Sequence, residues 1–423
     1  MINKKNKIAV IGLGYVGLPL AINFGKYFDV VGFDKNKLRI KQLRNNIDIN
    51  SDITKKDFLN SKKITFHFNK KKIQNCNIFI ITVPTPVDKK NMPDLSIIND
   101  ATKLVSNYLK INDIVIFEST VFPGYTEEIA VPILEKFSGL SYLKDFNCGY
   151  SPERINPGDK YHKLQKIKKI ISASNPNSLR LLKFLYSKII KAGLFIADSI
   201  KIAEAAKVIE NAQRDINIAF VNELTFIFDK LDINTQKVLA AASSKWNFLN
   251  FSPGFVGGHC VAVDPYYLDY ISKKNGYKTN FLMSARNINN SFHPFIASKI
   301  INILKKKKNP SILVMGLTFK ENCNDIRNSK IFEMLNILKK KKFRLSVFDP
   351  YVNKNQIKKQ IKKIRFLNKL SISNKFDLIV FCVKHDLFKK KHLYYEKMLK
   401  DNSFIFDIKN IFKNINSKKI ITL

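Results

Sequence analysis

Short apolar blocks alternate with polar, helically periodic ones along this chain, and the alternation runs through two cycles. Lys7–Ile11 is β-branched and apolar and meets Gly12-Leu13-Gly14-Tyr15-Val16-Gly17; a second strand over 30–33 ends in Asp34. Apolar runs recur at 78–83 and Ile114–Phe117 and, more weakly, at 170–173 and 194–197, with helical patterns between them. This order predicts strands and helices taken in turn, an α/β domain with a parallel sheet. Asp198-Ser199 then reads as a capping pair, and helical periodicity without Gly or Pro continues to about Leu231. A helix of that length exceeds the usual globular span and predicts a spine between domains or subunits. Asp264-Pro265 predicts an N-cap with proline at the first helical position, for a helix stopping near Gly276. Another helix carries Arg286 and Asn289, and at Pro294 a further helix begins that ends in the lysine run 305–308. After Asn309-Pro310 the opening plan returns. A strand over 312–315 meets Gly316, a second reaches Asp349-Pro350, and a third over 378–383 echoes 78–83.

The chemistry of the first turn sharpens the fold. GxGxxG between a strand and a helix, with an acid at the end of the next strand, is the arrangement that seats pyrophosphate on a helix N-terminus. Asp34 would accept from the adenosine ribose hydroxyls, and a carboxylate there repels a 2′-phosphate, so the expected cofactor is NAD. The fold class is then α/β, two Rossmann-like domains joined by a long-helix central region. Its expected boundaries are 1–198, 199–304 and 305–423.

Composition changes this picture little. A chain of 423 residues suits two or three domains. Five scattered cysteines without a CxxC pair argue for reduced thiols and against a disulfide framework or a zinc cluster, and no metal is expected. The formal charge of +39 suggests nucleic acid or a membrane surface at first sight. Only nine of the 73 basic residues are arginine, however, which fits lysine as solvating filler better than a phosphate-reading patch. The uncharged run 8–25 after Lys4, Lys5 and Lys7 resembles a signal or membrane segment, but its glycines and Pro19 break it into strand, turn and helix. The expectation is a soluble, cytoplasmic protein with no nucleic acid partner and no membrane insertion.

Several polar groups stand where a ligand would meet such a sheet. Pro84-Thr85-Pro86, Glu118-Ser119-Thr120 and Ser151-Pro152-Glu153-Arg154 punctuate strand ends. Each alone reads as an ordinary turn; jointly they offer cofactor contacts (Thr85, Thr120) and acid/base work (Glu153). Lys207, Asn211 and Arg214 share one face of the long helix, either as a solvated stripe or as a site face that Ala205, Ala206 and Ala212 leave open to close approach. In the stretch 255–268, Gly257-Gly258 precede His259-Cys260 on a loop running into a helix. Cys260 is there a candidate nucleophile, or a small buried cysteine with Asp264 as a cap. In 316–327, Lys320 and Arg327 could bind phosphate at the mouth of the second sheet.

These blocks in this order closely resemble the UDP-glucose/GDP-mannose dehydrogenase family, from Ile8 to about Asp407. The matching segments are 12–20, 82–86, 118–120, 150–158, 204–223, 245–248, 257–268 and 316–327. Ser-Pro-Glu-Arg-Ile-Asn-Pro-Gly and Lys245-Trp246-Asn247-Phe248 are similar to the branch of UDP-N-acetylhexosamine 6-dehydrogenases, the Vi-antigen type included, that make uronic acids for surface polysaccharides such as capsule and O-antigen. The resemblance implies oxidation of a sugar C6 alcohol to a carboxylate with two NAD, through a thiohemiacetal and a thioester on Cys260. Lys207 and Asn211 would stabilise the oxyanion, Asp264 and Thr120 would hold water or shuttle a proton, and Glu153 would be the general base. It implies cofactor contacts from Gly12, Gly14, Tyr15, Val16, Gly17, Asp34, Arg39, Thr85, Thr120 and Arg327. It implies substrate contacts from Arg154, Ile155, Lys207, Asn211, Arg214, Lys245, Trp246, Gly257, Arg286 and Lys320, with a core-packing role as the alternative for Trp246. A homodimer or higher homo-oligomer is implied, its interface in the central region. UDP-glucose or UDP-N-acetylmannosamine are the alternative substrates. A catalytically silent sugar-nucleotide binder would be expected to lack Cys260 or Lys207, and both are present. Ala212 and Asn290 depart from the threonine and aspartate common in relatives.

Overall fold

A computed structural model of the chain describes residues 6–50, 53–154, 164–362 and 364–423. The chain divides into two compact units, Met1–Glu210 with Tyr266–Lys278, and Asn211–Pro265 with Thr279–Leu423.

The first unit is built on eight strands: β1 Lys7–Ile11, β2 Asp29–Phe33, β3 Ile64–His67, β4 Ile78–Ile81, β5 Ile114–Phe117, β6 Asn147–Tyr150, β7 Lys169–Ala173 and β8 Leu194–Ile196. Their order in the sheet is β3-β2-β1-β4-β5-β6-β7-β8, parallel except where β6 meets β7. The chain thus runs outward from β1 on one side and then outward from β4 on the other, the doubly wound plan in which strand tips open on a common edge. Ile8, Ile78, Ile80, Ile114 and Ile116 are buried in one apolar cluster with Leu182, Leu185 and Tyr186 from the helix Pro176–Ile189. Continuous apolar runs in β4 and β5 follow from burial on both faces. Two strands of this unit escaped the sequence pattern. β3 is half polar at a sheet edge. β6 reads Asn-Cys-Gly-Tyr, and its Gly149 lets the Leu182 side chain close onto the backbone: an added Cβ would lie 2.9 Å from Leu182 Cδ2.

The second unit repeats the plan with six parallel strands: β9 Ser311–Met315, β10 Arg344–Phe348, β11 Arg365–Phe366, β12 Phe376–Phe381, β13 Leu399–Asp407 and β14 Ile420–Thr422, ordered β11-β10-β9-β12-β13-β14. The likeness extends to single hydrogen bonds. Gly12 N donates to Phe33 O at 2.8 Å and Gly316 N to Phe348 O at 2.9 Å. Leu13 N donates to Asp34 Oδ2 at 2.9 Å, and Leu317 N to Asp349 Oδ2 at 2.7 Å. The copies part at the carboxylate. Asp349 is buried, and its Oδ2 lies 3.1 Å from Nε2 of the fully buried His385. His385 Nδ1 accepts from Asn322 N at 2.9 Å, so Nε2 carries the ring proton and donates to Asp349.

The long helix expected after Asp198-Ser199 is present, Ile200–Lys230. The break expected at Pro294 is absent, since a single helix runs Phe281–Ile303. A proline inside a helix costs about 3 kcal/mol. Phe292, Ile296 and Ile300 are fully buried in one cluster with Ile312, Val314 and Leu335, and at about 1.5–3 kcal/mol per buried side chain they outweigh it. Among the described residues, no helix is long and apolar enough to cross a membrane.

Candidate active site

In the first unit the glycine loop is shaped for a dinucleotide. Gly12 has φ +95°, and a Cβ on Gly17 would sit 1.9 Å from Gly12 O, so only glycine lets the strand end and the helix start touch. Gly14 is exposed with open space around it, and Tyr15 and Val16 are half-buried beside it. Asp34 caps this cradle: its Oδ2 accepts from Leu13 N and its Oδ1 from Asn36 N, each at 2.9 Å. These residues fit NAD. Arg39 lies under the same loop. It is buried, its Nε donates to Leu13 O at 3.1 Å, and its Nη1 lies 2.9 Å from Asp48 Oδ1, so the guanidinium holds the loop from within the protein.

The strand tips are stitched together. Thr85 Oγ1 donates to Thr120 O at 2.7 Å, Ser119 Oγ to Val83 O at 2.6 Å, and Tyr150 Oη to Ser119 O at 3.2 Å. Tyr267 Oη reaches Thr85 O at 3.1 Å. Thr85 and Thr120, singled out separately in the sequence, therefore meet. Glu204, one turn before Lys207 on the long helix, fixes the same loop from below. It accepts from Gly124 N at 2.6 Å, Thr126 N at 2.9 Å and Thr126 Oγ1 at 2.6 Å. Burial pushes the Glu204 carboxyl up to about 7, against the pull of the Thr126 and Gly124 hydrogen bonds. Lys207 is buried, which removes the solvated-stripe reading for it.

Glu153 is buried in a charged cluster that sequence reasoning did not assemble. Lys169 Nζ lies 2.8 Å from Glu153 Oε2 and 2.7 Å from Glu118 Oε2, and the Tyr186 hydroxyl donates to Glu118 Oε1. Arg154 pairs with Glu210 through its Nε. Ile155 lies outside the described residues.

Of the five cysteines, the exposed one lies in the second unit. Cys76 and Cys148 of the first unit and Cys323 and Cys382 of the second are buried, and burial pushes each thiol up, Cys76 to about 11. Cys260 is exposed, so the buried-cysteine alternative falls. Its carbonyl accepts from Val263 N at 2.9 Å and Asp264 N at 2.8 Å, and the helix Asp264–Lys274 follows. Asp264 is buried and accepts at Oδ2 from Asn211 Nδ2 at 2.5 Å, so its side chain does more than cap the helix. The cysteine loop lies directly on the loop after β9. A Cβ on Gly257 would fall 2.4 Å from Asn328 O, and one on Gly258, with φ +83°, 2.7 Å from the Phe319 ring. Asn328 Nδ2 donates to Gly258 O at 3.2 Å, and His259 Nε2 stands 3.5 Å from Asp325 Oδ2. Burial would raise Asp325, but hydrogen bonds from His259 and Arg327 hold its carboxyl well below the usual range.

The remaining substrate and phosphate candidates divide. Arg327 forks onto Asp325, Nε at 3.0 and 3.1 Å and Nη2 at 2.6 Å. Lys320 is half-buried, with its carbonyl accepting from Thr318 Oγ1 at 2.6 Å. Arg286 is turned into the unit, where it pairs with buried Asp215 and donates to Asn290 Oδ1 at 3.1 Å, so the amide found in place of an aspartate is a hydrogen-bond partner of this arginine. Asn289 joins Asp215 to Asn222, and Asn222 grips Gly254 through both its N–H and its carbonyl, which secures the segment leading to the cysteine. Arg214 and Lys245 are exposed. Trp246 is 96% exposed, which overturns the core-packing alternative for it. The partners missed in the sequence are Lys169, Glu118 and Tyr186 in the first unit and His259 with Asp325 in the second. A lysine opening an otherwise apolar strand was the available signal for the first group.

Residues 6–190, 201–291 and 313–414 match, in turn, the NAD binding, central and UDP binding domains of the UDP-glucose/GDP-mannose dehydrogenase family. A UDP-N-acetyl-D-glucosamine 6-dehydrogenase of Salmonella typhi is 47% identical over 388 residues, 91% of each chain. One from Pseudomonas aeruginosa is 49% identical over 354 residues, covering 83% of this chain and 84% of that one. Among solved structures, a UDP-D-ManNAc dehydrogenase from Pyrococcus horikoshii superposes with a TM-score of 0.86 at 29% identity, over 98% of both chains.

Proposed function

Because the chain belongs to the UDP-glucose/GDP-mannose dehydrogenase family, we propose that it oxidises the C6 alcohol of a UDP-N-acetylhexosamine, gluco or galacto, to the uronic acid. The observation that carries the substrate class is the pair of relatives, 47% and 49% identical, that both bear the name UDP-N-acetyl-D-glucosamine 6-dehydrogenase. NAD, when bound, takes up the hydride in each of the two oxidations. The C6 alcohol gives up a hydride and a proton to become an aldehyde. The Cys260 thiolate adds to that aldehyde, forming a thiohemiacetal whose C6 still carries a hydride to lose. Loss of the second hydride leaves a thioester; water adds, the thiolate departs, and the carboxylate is free. Covalent capture keeps the aldehyde from escaping between the steps. Lys207 and Asn211, one turn apart on the helix Ile200–Lys230, donate to the oxygen on C6 as charge develops there. Asp264, with Thr120, holds the water or shuttles its proton, and Glu153 is the general base. The UDP belongs to the second parallel-sheet unit, with Lys320 toward the substrate.

Self-association is part of this reading. Ile202, Ile209, Phe220 and Ile227 are exposed and recur on one side of the long helix, which suits a second copy of this chain. Surface polysaccharide assembly is the use we assign to the product, on the likeness to the Vi-antigen branch.

A panel of UDP-sugars with NAD tests the proposal. Two NADH per sugar are expected, with UDP-N-acetylglucosamine or its galacto epimer turned over at least about tenfold more efficiently than UDP-glucose, because a site that pairs the acetamido group leaves its partners unmatched without it. Equal or better kcat/KM for UDP-glucose, or for UDP-N-acetylmannosamine, moves the assignment to that sugar.

A further inference from the structure

Lys169 is buried in the first unit, and no step above uses it. Its Nζ lies 2.7 Å from Glu118 Oε2, 2.8 Å from Glu153 Oε2, 3.0 Å from Pro152 O and 3.3 Å from Ser151 O. The Tyr186 ring stands 5.5 Å away. The side chains of Lys169, Glu118 and Glu153 are 3%, 0% and 3% exposed. Four separate elements bring these groups together. Glu118 follows β5, Glu153 follows β6, Lys169 opens β7, and Tyr186 comes from the helix Pro176–Ile189.

A buried ion cluster of this kind is a poor way to stabilise a fold, since well-packed apolar residues usually do as well or better. What it does provide is a fixed geometry. Glu153 Oε2 is held by Lys169, and Glu153 Oε1 accepts from Arg154 N at 2.6 Å. The carboxylate therefore has both oxygens pinned. On the other side, Glu118 is itself anchored by the Tyr186 hydroxyl. Desolvation pulls the Lys169 ammonium down, but Glu118 and Glu153 outweigh it and hold the group above its ordinary value, so it stays a cation.

We propose that Lys169 is a positioning residue for the base Glu153, with Glu118 and Tyr186 holding the ammonium in place from the opposite side. The proposal rests on the reading of Glu153 as the general base, and takes the step it serves to be the attack of water on the thioester. It assigns Lys169 no contact with substrate or cofactor; it acts by fixing where the Glu153 oxygens stand.

The test is a double-mutant cycle of Lys169→Met and Glu153→Gln, read with NAD and UDP-N-acetylglucosamine. Lys169→Met is expected to lower kcat about a hundredfold, the scale of a misplaced catalytic group, with KM for NAD unchanged. A covalent sugar adduct should build up on the protein, visible in its intact mass. In the Glu153→Gln background the same change should cost less than about twofold, because residues acting through one another are not additive. An equal cost in both backgrounds, or an unchanged kcat in Lys169→Met, overturns the proposal. Full acid formation by Glu153→Gln alone removes Glu153 as the base and takes the proposal with it. Should Lys169→Met fail to fold, Lys169→Met with Glu118→Gln, which removes one charge of each sign, carries the cycle in its place under the same criteria.

Discussion

The side-chain amide of Asn211 donates to the Asp264 carboxylate at 2.5 Å, and both residues are almost closed to solvent, at 2% and 1% exposure. They stand 53 residues apart in the chain. Asp264 also gives its backbone N–H to the Cys260 carbonyl, so one side-chain pair connects the long helix to the cysteine loop.

Asn211→Ala leaves a buried carboxylate short of a donor. Stability should fall by about 1–3 kcal/mol in urea unfolding, while acid formation falls much further than NAD affinity does. Equal losses in both would mean the pair is structural and the site indifferent to it.

Cys260→Ala should abolish net uronic acid while leaving NAD binding, measured by fluorescence titration, close to that of the unaltered protein. Cys260→Ser should be severely slowed and hold an ester, since an alkoxide is the poorer leaving group. Wild-type rates of acid formation in Cys260→Ala would rule out covalent catalysis.

Asp34→Ala takes an acceptor from the expected ribose hydroxyls at a cost of about 1–3 kcal/mol in NAD affinity. It also frees Leu13 N and Asn36 N, so part of the loss will be a looser glycine loop. The preference for NAD over NADP should narrow. An unchanged ratio in steady-state kinetics sinks the assignment of Asp34 as the discriminating residue.

Glu204 predicts a pH dependence of stability. Its folded-state value, about 7, lies above its ordinary 4.5, chiefly because burial disfavours the charge. The native chain therefore binds the extra proton more tightly than the unfolded one. The resulting stabilisation is complete below about pH 4.5 and lost as the pH rises through about 7. Urea midpoints should fall between those values, and Glu204→Gln should flatten that part of the profile. An identical slope in the variant would place its source elsewhere.

Much of this was legible in the residues. The turn after β1, the acid after β2, the long helix and the double glycine before Cys260 are each local, and local patterns survive reading in one dimension. What escaped was non-local. Lys169 and Glu118 are 51 positions apart and Lys169 and Glu153 16, and nothing in their spacing reveals an ion pair. The hydrogen bond from Arg39 to the carbonyl of Leu13 spans 26 positions and is likewise invisible in the spacing. β6 was missed because its strand character comes from β5 alongside it and not from Asn-Cys-Gly-Tyr. Pro294 misled for the same reason, since the burial of its neighbours decides the helix.

The two sheets share a turn, but only one keeps its carboxylate open. In the second, His385 and the backbone N–H groups of Leu317 and Tyr351 engage the oxygens of Asp349, which no longer has an edge to offer a ribose. Among the described residues, that leaves the turn of the first unit as the dinucleotide berth. On the proposed reaction, the two NAD per sugar would use it in succession, and the spent one would leave while the half-oxidised sugar stays behind. The waiting time between departures and arrivals, set by how fast the berth empties, would make turnover respond to NADH as much as to the sugar.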